Sequence, residues 1–282
     1  MKEILNREIS FTTDNENFLV LESSSSKGAQ PKWYNSKLNV YVKQDINGYE
    51  SVAECVVYTI LNSCSTIPKE DLVEYRLCTV DGKTGCYSPN FKYELEDEIN
   101  LRRVLRDYTR MEKVLSSAGT AEARFDIMCE AIEKFTGGIS FRNELKRLFA
   151  IDAFFINEDR HLANISILYS GGSHYRLAPI FDNGLSLLSN LNLHPKDIRV
   201  TSFKHDARAK LPSAQFSKNA KLYDLEPFLY KSKIQEFIKE NRSIIPRVCA
   251  LLASQLKEPH LQHLFIERGN VSTLLKRSNL FG

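Results

Sequence analysis

The sequence predicts an α+β fold in which a small β-rich lobe, residues 1–95, precedes a larger helical lobe, residues 96–282. Before residue 95, short runs of alternating β-branched and aromatic residues dominate, which is typical of half-buried strands. After residue 95, longer segments carry apolar residues at helical spacing. A chain of 282 residues is long enough for two lobes or one large domain.

The first lobe contains four runs with strand character and one with helix character. Its predicted strands are residues 18–21, 38–43, 75–79 and 85–88. The Asp81-Gly82 pair between the last two runs is a strong turn signal, so residues 75–88 form a predicted hairpin. Apolar residues at helical spacing predict one helix over residues 51–63.

The second lobe is predicted to be mostly helical, with one hairpin. Helices are predicted over residues 98–116, 121–136, 140–156, 226–240, 243–256 and 258–267. A strand at 165–169, a glycine-containing turn and a returning strand at 175–178 make the hairpin. The hairpin therefore follows a loop that begins at Asn157, directly after a helix.

Charge is distributed unevenly along the chain. Residues 191–282 hold 16 Lys and Arg against 8 Asp and Glu, a net +8, whereas the first 190 residues carry a net −5. A basic half of this kind fits a solvated helical surface, which we expect, or a partner that bears acidic or phosphate groups. Direct nucleic-acid binding is not expected.

Cysteine usage and hydropathy indicate a soluble protein of a reducing compartment. The six cysteines include no C-x-x-C pair, and His260 and His263 lack further residues at metal-ligand spacing, so no zinc site is expected. The N-terminus is too charged for a signal peptide, and no apolar run of about 18 residues is present to cross a bilayer. We expect a cytoplasmic protein without a membrane partner, with secretion by a signal-independent route left open.

Residues 156–186 combine acidic, amide and apolar side chains around the predicted hairpin. Asp159 and Asn164 precede its first strand, and Asp182 follows its second strand within an Asp-Asn-Gly sequence. Phosphoryl transfer requires such a set, because one carboxylate accepts the proton of the attacking hydroxyl while Asn and Asp oxygens hold Mg²⁺ on nucleotide phosphates. The D-x-x-x-x-N and D-x-G spacings are those of a kinase catalytic loop and metal-binding turn. The alternative is that these residues only form turns, and the hairpin context favours the site.

The first lobe offers candidates for holding a nucleotide. Residues 25–32, S-S-K-G-A-Q-P-K, form a small-residue loop able to cover phosphates, although it lacks G-x-G-x-x-G. Lys43 ends an apolar strand, and Glu54 opens the following helix eleven residues later, where it can position that lysine. The alternatives are a charged strand end for Lys43 and a helix-dipole match for Glu54. Their order along the chain favours a nucleotide site.

The chain resembles the HipA-like Ser/Thr protein kinase family, and its compact members most. The resemblance spans about residues 25–190, and its motifs are Gly28-Ala-Gln-Pro-Lys32, Val42-Lys43, Asp159-Arg-His-Leu-Ala-Asn164 and Ala178-Pro-Ile-Phe-Asp182. It implies a two-lobed protein-kinase-like fold, ATP and Mg²⁺ as cofactors, and phosphorylation of Ser or Thr in a bacterial cytoplasmic setting.

The resemblance also implies a role for each site residue. Asp159 becomes the catalytic base with His161 supporting its loop, and Asn164 and Asp182 become the Mg²⁺ ligands. The implied nucleotide contacts are Ser25, Lys27, Gly28, Ala29, Gln30, Lys32, Lys43, Glu54 and an adenine hinge at 86–90 that contains Cys86, Tyr87 and Ser88. Inhibitory autophosphorylation is expected within residues 23–26, at Ser25 first and at Ser26 or Ser24 next.

Substrate and partners stay open at this point. The kinase after which the family is named has a Lys immediately before the loop Asn, where this chain has Ala163. Arg160 could either neutralise phosphate or pair with an acid. Two protein-kinase functions compete: a toxin-type kinase with an aminoacyl-tRNA synthetase as substrate and an antitoxin as partner, and a kinase of another protein or peptide, including a secreted effector. A small-molecule kinase and a nucleotide-binding module without turnover are the other two. The filled base and metal positions argue against the last.

Overall fold

The computed structural model describes residues 9–21, 30–171, 174–196, 199–204, 206–222 and 224–266. Its N-terminal strands are Ser10–Phe11 (β1), Phe18–Val20 (β2), Lys32–Asn35 (β3), Val40–Gln44 (β4), Arg76–Val80 (β5) and Lys83–Pro89 (β6). They form one sheet in the order β1-β5-β6-β4-β3-β2. β1 runs parallel to β5, and the other neighbours are antiparallel. The predicted strands at 18–21, 38–43, 75–79 and 85–88 are thus confirmed, whereas β1 and β3 were not predicted.

The hairpin of β5 and β6 follows the turn chemistry that the sequence predicted. Asp81 and Gly82 both have positive φ, +46° and +78°, as a tight two-residue hairpin turn requires. Gly85 is needed for a different reason, because a Cβ there would lie 2.4 Å from the backbone oxygen of Lys43 on β4. The sheet therefore packs β6 closely onto the strand that carries Lys43.

Helix α1, Glu50–Cys64, connects β4 to β5 and confirms the helix predicted over 51–63. Acidic side chains fix its start: Glu50 accepts a hydrogen bond from the backbone N–H of Gly48 at 3.0 Å. Asp45 accepts from the backbone N–H and the hydroxyl of Ser51 at 2.8 and 2.6 Å. The bond from Ser51 satisfies a backbone donor that the first turn of a helix leaves without a partner, and the bond from Gly48 fixes the chain just before the helix.

The remaining helices and strands make up the C-terminal part. The helices are Leu101–Arg103 (α2), Glu112–Ser117 (α3), Ala121–Thr136 (α4), Arg142–Phe155 (α5), Val200–Phe203 (α6), Phe216–Asn219 (α7), Lys231–Asn241 (α8) and Pro246–Gln255 (α9). The strands Asp97–Asn100 (β7), Ser166–Ser170 (β8) and His174–Leu177 (β9) form an antiparallel sheet in that order. The predicted hairpin, now β8 and β9, is confirmed.

Helix α1 packs into the larger apolar core rather than only against its own sheet. Val56 and Ile60 on α1 are buried together with Phe154 on α5, Phe237 on α8 and Leu251 on α9. Close-packed cores transmit small displacements, so these contacts fix the position of α1 relative to the C-terminal helices. A second core surrounds α4, α5 and β8.

Three predicted helices are wrong in part. Residues 97–100 form β7, because Ile99 pairs with Ile167 of β8 and both side chains are buried. A π-helical turn, Val104–Tyr108, then separates α2 from α3, so no continuous helix covers 98–116. The helices predicted at 226–240 and 258–267 each lose residues to a short parallel pair, Leu229–Tyr230 (β10) with Phe265–Ile266 (β11). Pairing between distant segments decides these cases against local propensity.

All six cysteines are free and buried. Burial raises the pKa of Cys55 and Cys86, so neither thiol is activated as a nucleophile. The cysteines therefore act as small apolar side chains. Within the described ranges, no helix has both the length and the apolar character required to span a bilayer.

Candidate active site

The side chain of Lys43 lies at the centre of a buried ion-pair cluster. Its Nζ is 2.5 Å from Oε1 of Glu54 on α1 and 2.8 Å from Oδ1 of Asp182. Lys43 is 7 % exposed and Glu54 0 % exposed, so each charge depends on the others for its stabilisation. Burial alone would lower the pKa of Lys43, but Asp182 and Glu54 hold it well above its ordinary value. Lys43 is therefore a permanent cation.

A second lysine, Lys32, approaches the same carboxylate. β3 and β4 pair so that Lys32 stands directly opposite Lys43, and its Nζ lies 3.3 and 3.1 Å from the two carboxylate oxygens of Asp182. Burial alone would raise the pKa of Asp182, but Lys32 and Lys43 hold that pKa well below its usual range. Asp182 is therefore an anion shared by two cations.

The rest of the predicted phosphate loop is described only at its end. Gln30 donates through Nε2 to Oδ1 of Asp45 at 3.3 Å. Its Oε1 lies 3.3 Å from the position that a Cβ would occupy on Gly184, so the loop end packs closely over the Asp-Asn-Gly segment. Six predicted residues lie outside the described part of the chain: Ser24, Ser25, Ser26, Lys27, Gly28 and Ala29.

The Asp182-Asn-Gly segment bends sharply beside α1. Asp182 has a φ of +57°, the left-handed region that Asp and Asn adopt more readily than other non-glycine residues. The backbone N–H of Asn183 donates to Oε2 of Glu54 at 2.7 Å, and that of Asp182 donates to Oη of Tyr75 at 3.3 Å. Glu54 thus holds Lys43 with one oxygen and the bend with the other.

Arg160 pairs with an acid, which decides between the two roles that its sequence context allowed. The side chain is buried, and its Nε lies 3.0 Å from Oδ2 of Asp152 on α5. Nη1 donates to the backbone oxygens of Asn164 and Phe181 at 3.2 and 2.5 Å, and Nη2 donates to Oδ1 of Asn183 at 2.7 Å. One guanidinium therefore joins α5, the Asp159–Asn164 loop and the Asp182 segment.

Asp152 and Asn157 are neighbours of the predicted site that the sequence did not predict. Asn157 donates through Nδ2 to Oδ1 of Asp152 at 3.1 Å and accepts through Oδ1 from the backbone N–H of Asp159 at 3.0 Å. Burial raises the pKa of Asp152, and the charge of Arg160 opposes that rise. The sequence did carry a signal for Asp152, which is the lone carboxylate inside the apolar run F-A-I-D-A-F-F. A charge buried in such a run requires a partner, so a pairing residue could have been expected.

Asp159 is more open to solvent than the other carboxylates of the site, with 32 % of its side chain exposed. Its partial burial raises its pKa, Asp182 adds to that rise, and His161, Lys210 and Lys32 oppose it. Nε2 of His161 lies 3.8 Å from Oδ2 of Asp159. Burial lowers the pKa of His161 against the attraction of Asp159, which favours a neutral imidazole at pH 7. The pair is thus a partly exposed carboxylate beside an uncharged ring.

Asn164 and Asp182 offer the oxygen donors that Mg²⁺ prefers. Nδ2 of Asn164 donates to the backbone oxygen of Asp159 at 3.2 Å, and no donor among the described residues reaches its Oδ1. The described residues contain no group of three or more His, Cys, Asp and Glu that could hold a metal. A carboxamide and one carboxylate fit a Mg²⁺ ion that completes its shell with phosphate and water oxygens.

The residues of the predicted adenine hinge lie on β6. Cys86 pairs directly with Lys43, so its side chain and that of Ser88 point to the face of the sheet that carries Lys43. Tyr87 points to the opposite face, where its ring centroid lies 5.6 Å from that of Phe11. Only the backbone of Tyr87 can therefore face the side of the sheet on which Lys43 meets Asp182.

Comparisons with known proteins bear on the fold. No family model and no curated protein sequence matches the chain. Among solved structures it is similar to the Helicobacter pylori proinflammatory kinase CtkA, with a TM-score of 0.54 and 15 % identity over 90 % of this chain and 94 % of CtkA. It is also similar to a chain of the Shewanella oneidensis MR-1 toxin–antitoxin complex of HipA, HipB and operator DNA, with a TM-score of 0.39 and 11 % identity over 93 % of this chain and 63 % of that chain.

The similarity to CtkA confirms the fold that the sequence resemblance implied. The chain has the α+β fold of the HipA-like kinases, with a β-sheet part followed by a helical part.

Proposed function

We propose that the protein is a Mg·ATP-dependent kinase that phosphorylates a Ser or Thr hydroxyl of a protein. The observation that carries the proposal is the position of Lys43, whose Nζ lies 2.5 Å from Glu54 and 2.8 Å from Asp182. A lysine held between a helix glutamate and the aspartate of a D-x-G segment is the arrangement in which kinases bind nucleotide phosphates. Lys32 also pairs with Asp182, and this second contact favours the proposed function. A purely structural ion pair would need only one cation for the carboxylate of Asp182.

Each side chain has a distinct task in the proposed reaction. Lys43 and Lys32 present positive charge to the nucleotide phosphates. Asn164 and Asp182 would hold Mg²⁺, which when bound neutralises phosphate charge in the transition state. Asp159 accepts the proton of the attacking hydroxyl, and the burial that raises its pKa makes it a better acceptor.

The hydrogen bonds of Arg160 support the proposed reaction because they fix the positions of the reacting side chains relative to one another. Arg160 bonds to the backbone oxygen of Asn164, at the end of the loop that begins with Asp159, and to the residues on either side of Asp182. The base and the metal ligands are therefore held in one arrangement before a substrate arrives. Such preorganisation lowers the reorganisation that the reaction itself would require.

Other parts of the proposal rest on the sequence resemblance alone. They are a toxin role with an antitoxin partner, an aminoacyl-tRNA synthetase as substrate, and inhibitory autophosphorylation at Ser25 or its neighbours. A small-molecule substrate and a module without turnover remain the competing functions, and the phosphotransfer experiment below separates them from a protein kinase.

The test is incubation of the full chain with Mg·ATP, followed by intact-mass and peptide mass spectrometry. We expect phosphate on the wild-type protein within residues 23–26. Asp159→Asn should lower the phosphorylation rate about 10²- to 10⁴-fold with unchanged ATP affinity, because a general base acts mainly in the transition state. Asp224→Asn, a matched change at an exposed aspartate outside the site, should keep the wild-type rate. A wild-type rate in Asp159→Asn would remove Asp159 from the mechanism.

A further inference from the structure

The basic character of the C-terminal half is concentrated in a segment that the proposed chemistry does not use. Residues 199–222 include six Lys and Arg. Lys210, Lys218 and Lys221 are exposed, and none of them forms an ion pair with any residue that the structure describes. Three exposed cations that form no ion pair attract negative charge from outside the molecule.

The loop that carries Lys210 is firmly held. Asn219, 3 % exposed, donates through Nδ2 to the backbone oxygens of Leu211 and Ser213 at 2.8 and 2.9 Å. Its Oδ1 accepts from the backbone N–H of Ser213 at 2.9 Å. The backbone N–H of residue 209 also donates to the oxygen of residue 214 at 3.1 Å. One buried amide thus fixes the loop, so Lys210 projects from a defined position.

This loop lies beside the proposed catalytic base. The backbone N–H of Arg208 donates to Oε1 of Glu158 at 3.3 Å, and Glu158 directly precedes Asp159. Lys210 follows two residues after Arg208, and two residues of chain span at most roughly 7 Å. The loop therefore brings Lys210 close to the segment that carries the proposed base.

A groove of about 570 Å³ adjoins the same loop. Its walls are the start of α4 and residues 212–221, and its lining includes Lys218, Lys221 and one acidic residue, Glu122. Arg124 spans the walls, because it donates to a backbone oxygen on each side at 3.0 and 3.4 Å. The partial positive charge at the N-terminus of α4 adds to the two lysines. The groove therefore favours an anionic occupant, of a size within the usual range for binding clefts.

We propose that the surface from this groove to Lys210 binds an acidic peptide segment next to the Ser or Thr that is phosphorylated. The inference rests on the proposed kinase function and specifies its substrate class. Aspartate and glutamate side chains of the substrate replace the acidic partners that Lys210, Lys218 and Lys221 lack among the described residues. Complementary charge of this kind also speeds encounter and disfavours basic sequences.

Peptide binding without nucleotide tests the proposal. Fluorescence anisotropy compares a labelled peptide of Glu and Asp around one Ser with the same peptide carrying Lys in place of the acids. We expect the wild-type chain to prefer the acidic peptide, and 0.5 M NaCl to abolish that preference. Lys218→Glu combined with Lys221→Glu should weaken acidic-peptide binding about tenfold, on the scale of exposed charge pairs. The matched control is Lys239→Glu with Lys257→Glu, two exposed lysines outside the groove, and it should bind as the wild type does.

The outcomes separate this inference from the kinase proposal. Asp159→Asn should bind the acidic peptide like the wild type, so a chain without phosphotransfer that shows charge-selective binding would contradict only the kinase function. Equal binding of the two peptides, or equal losses in the groove variant and its control, would overturn the acidic-peptide site. Equally tight binding of a single-stranded oligonucleotide with the same charge would also overturn it.

Discussion

Two buried charge clusters of this chain differ in how completely their charges are satisfied. The guanidinium of Arg160, within a residue that is 1 % exposed, is bonded to Asp152, Asn183 and two backbone oxygens. Around Lys43 the cluster is open on one side, since the side chain of Lys32 remains 30 % exposed and that of Asp182 16 % exposed. The first cluster can only hold structure, whereas the second can share its charges with a ligand.

The closed cluster, centred on Arg160, positions the open cluster, centred on Lys43. Arg160 bonds to the backbone oxygen of Phe181 and to the side chain of Asn183, the two residues that flank Asp182. The backbone around the carboxylate that meets Lys43 is thus held in place by a buried guanidinium. Changes in the closed cluster should therefore cost stability first, and changes in the open cluster should cost ligand binding first.

The largest stability effect is expected from Asp152→Ala. The change leaves the buried charge of Arg160 without its counter-charge, which should lower the free energy of unfolding by about 3–5 kcal/mol. Urea denaturation followed by circular dichroism measures this loss. Asp152→Ala with Arg160→Met should recover part of it, because the second change removes the uncompensated charge. A single variant as stable as the wild type would show that the closed cluster does not hold the fold.

A smaller effect is expected from Gly48→Ala, which disturbs the open cluster through α1. Gly48 precedes α1 and pairs with Asn190, and a Cβ on it would lie 1.9 Å from the backbone oxygen of Ser189. The start of the helix that carries Glu54 must then move, at a cost of about 1–3 kcal/mol in the free energy of unfolding. Denaturation and ATP binding should both be measured, and both should weaken.

Gly119→Ala is the matched control for this change, since a Cβ on Gly119 meets no atom within 4 Å. Its free energy of unfolding should stay within about 0.5 kcal/mol of the wild type. If both alanine variants behaved like the wild type, the contact between residues 48 and 189 would have no part in holding α1.

The sequence predicted the open cluster better than the closed one. Lys43, Glu54 and Asp182 lie in motifs whose chemistry requires those residue types, and the structure brings their side chains into contact. Asp152 lies outside the motifs, and Arg160 lies inside one but had two possible roles. Their pairing depends on the path of the chain between α5 and the following loop, which local patterns do not determine.

The fold shows the same division between local and distant causes. The hairpin of β5 and β6 was predicted because Asp81-Gly82 encodes its own turn. The strand at 97–100 was missed because its pairing partner, β8, lies almost seventy residues further along the chain. Residues 226–230 were predicted as helix for the same reason, since β10 forms only through its contact with β11.

Calorimetric titration of ATP with and without Mg²⁺ tests the central claim, that the open cluster is a nucleotide site. The wild-type chain should bind ATP with an affinity that depends on Mg²⁺. Asp182→Ala should weaken the binding about a hundredfold or more, because the charge stabilisation that a metal provides is worth several kcal/mol. Asp224→Ala, at an exposed aspartate, should bind as the wild type does. ATP binding that is independent of Mg²⁺ and unchanged in Asp182→Ala would contradict the account.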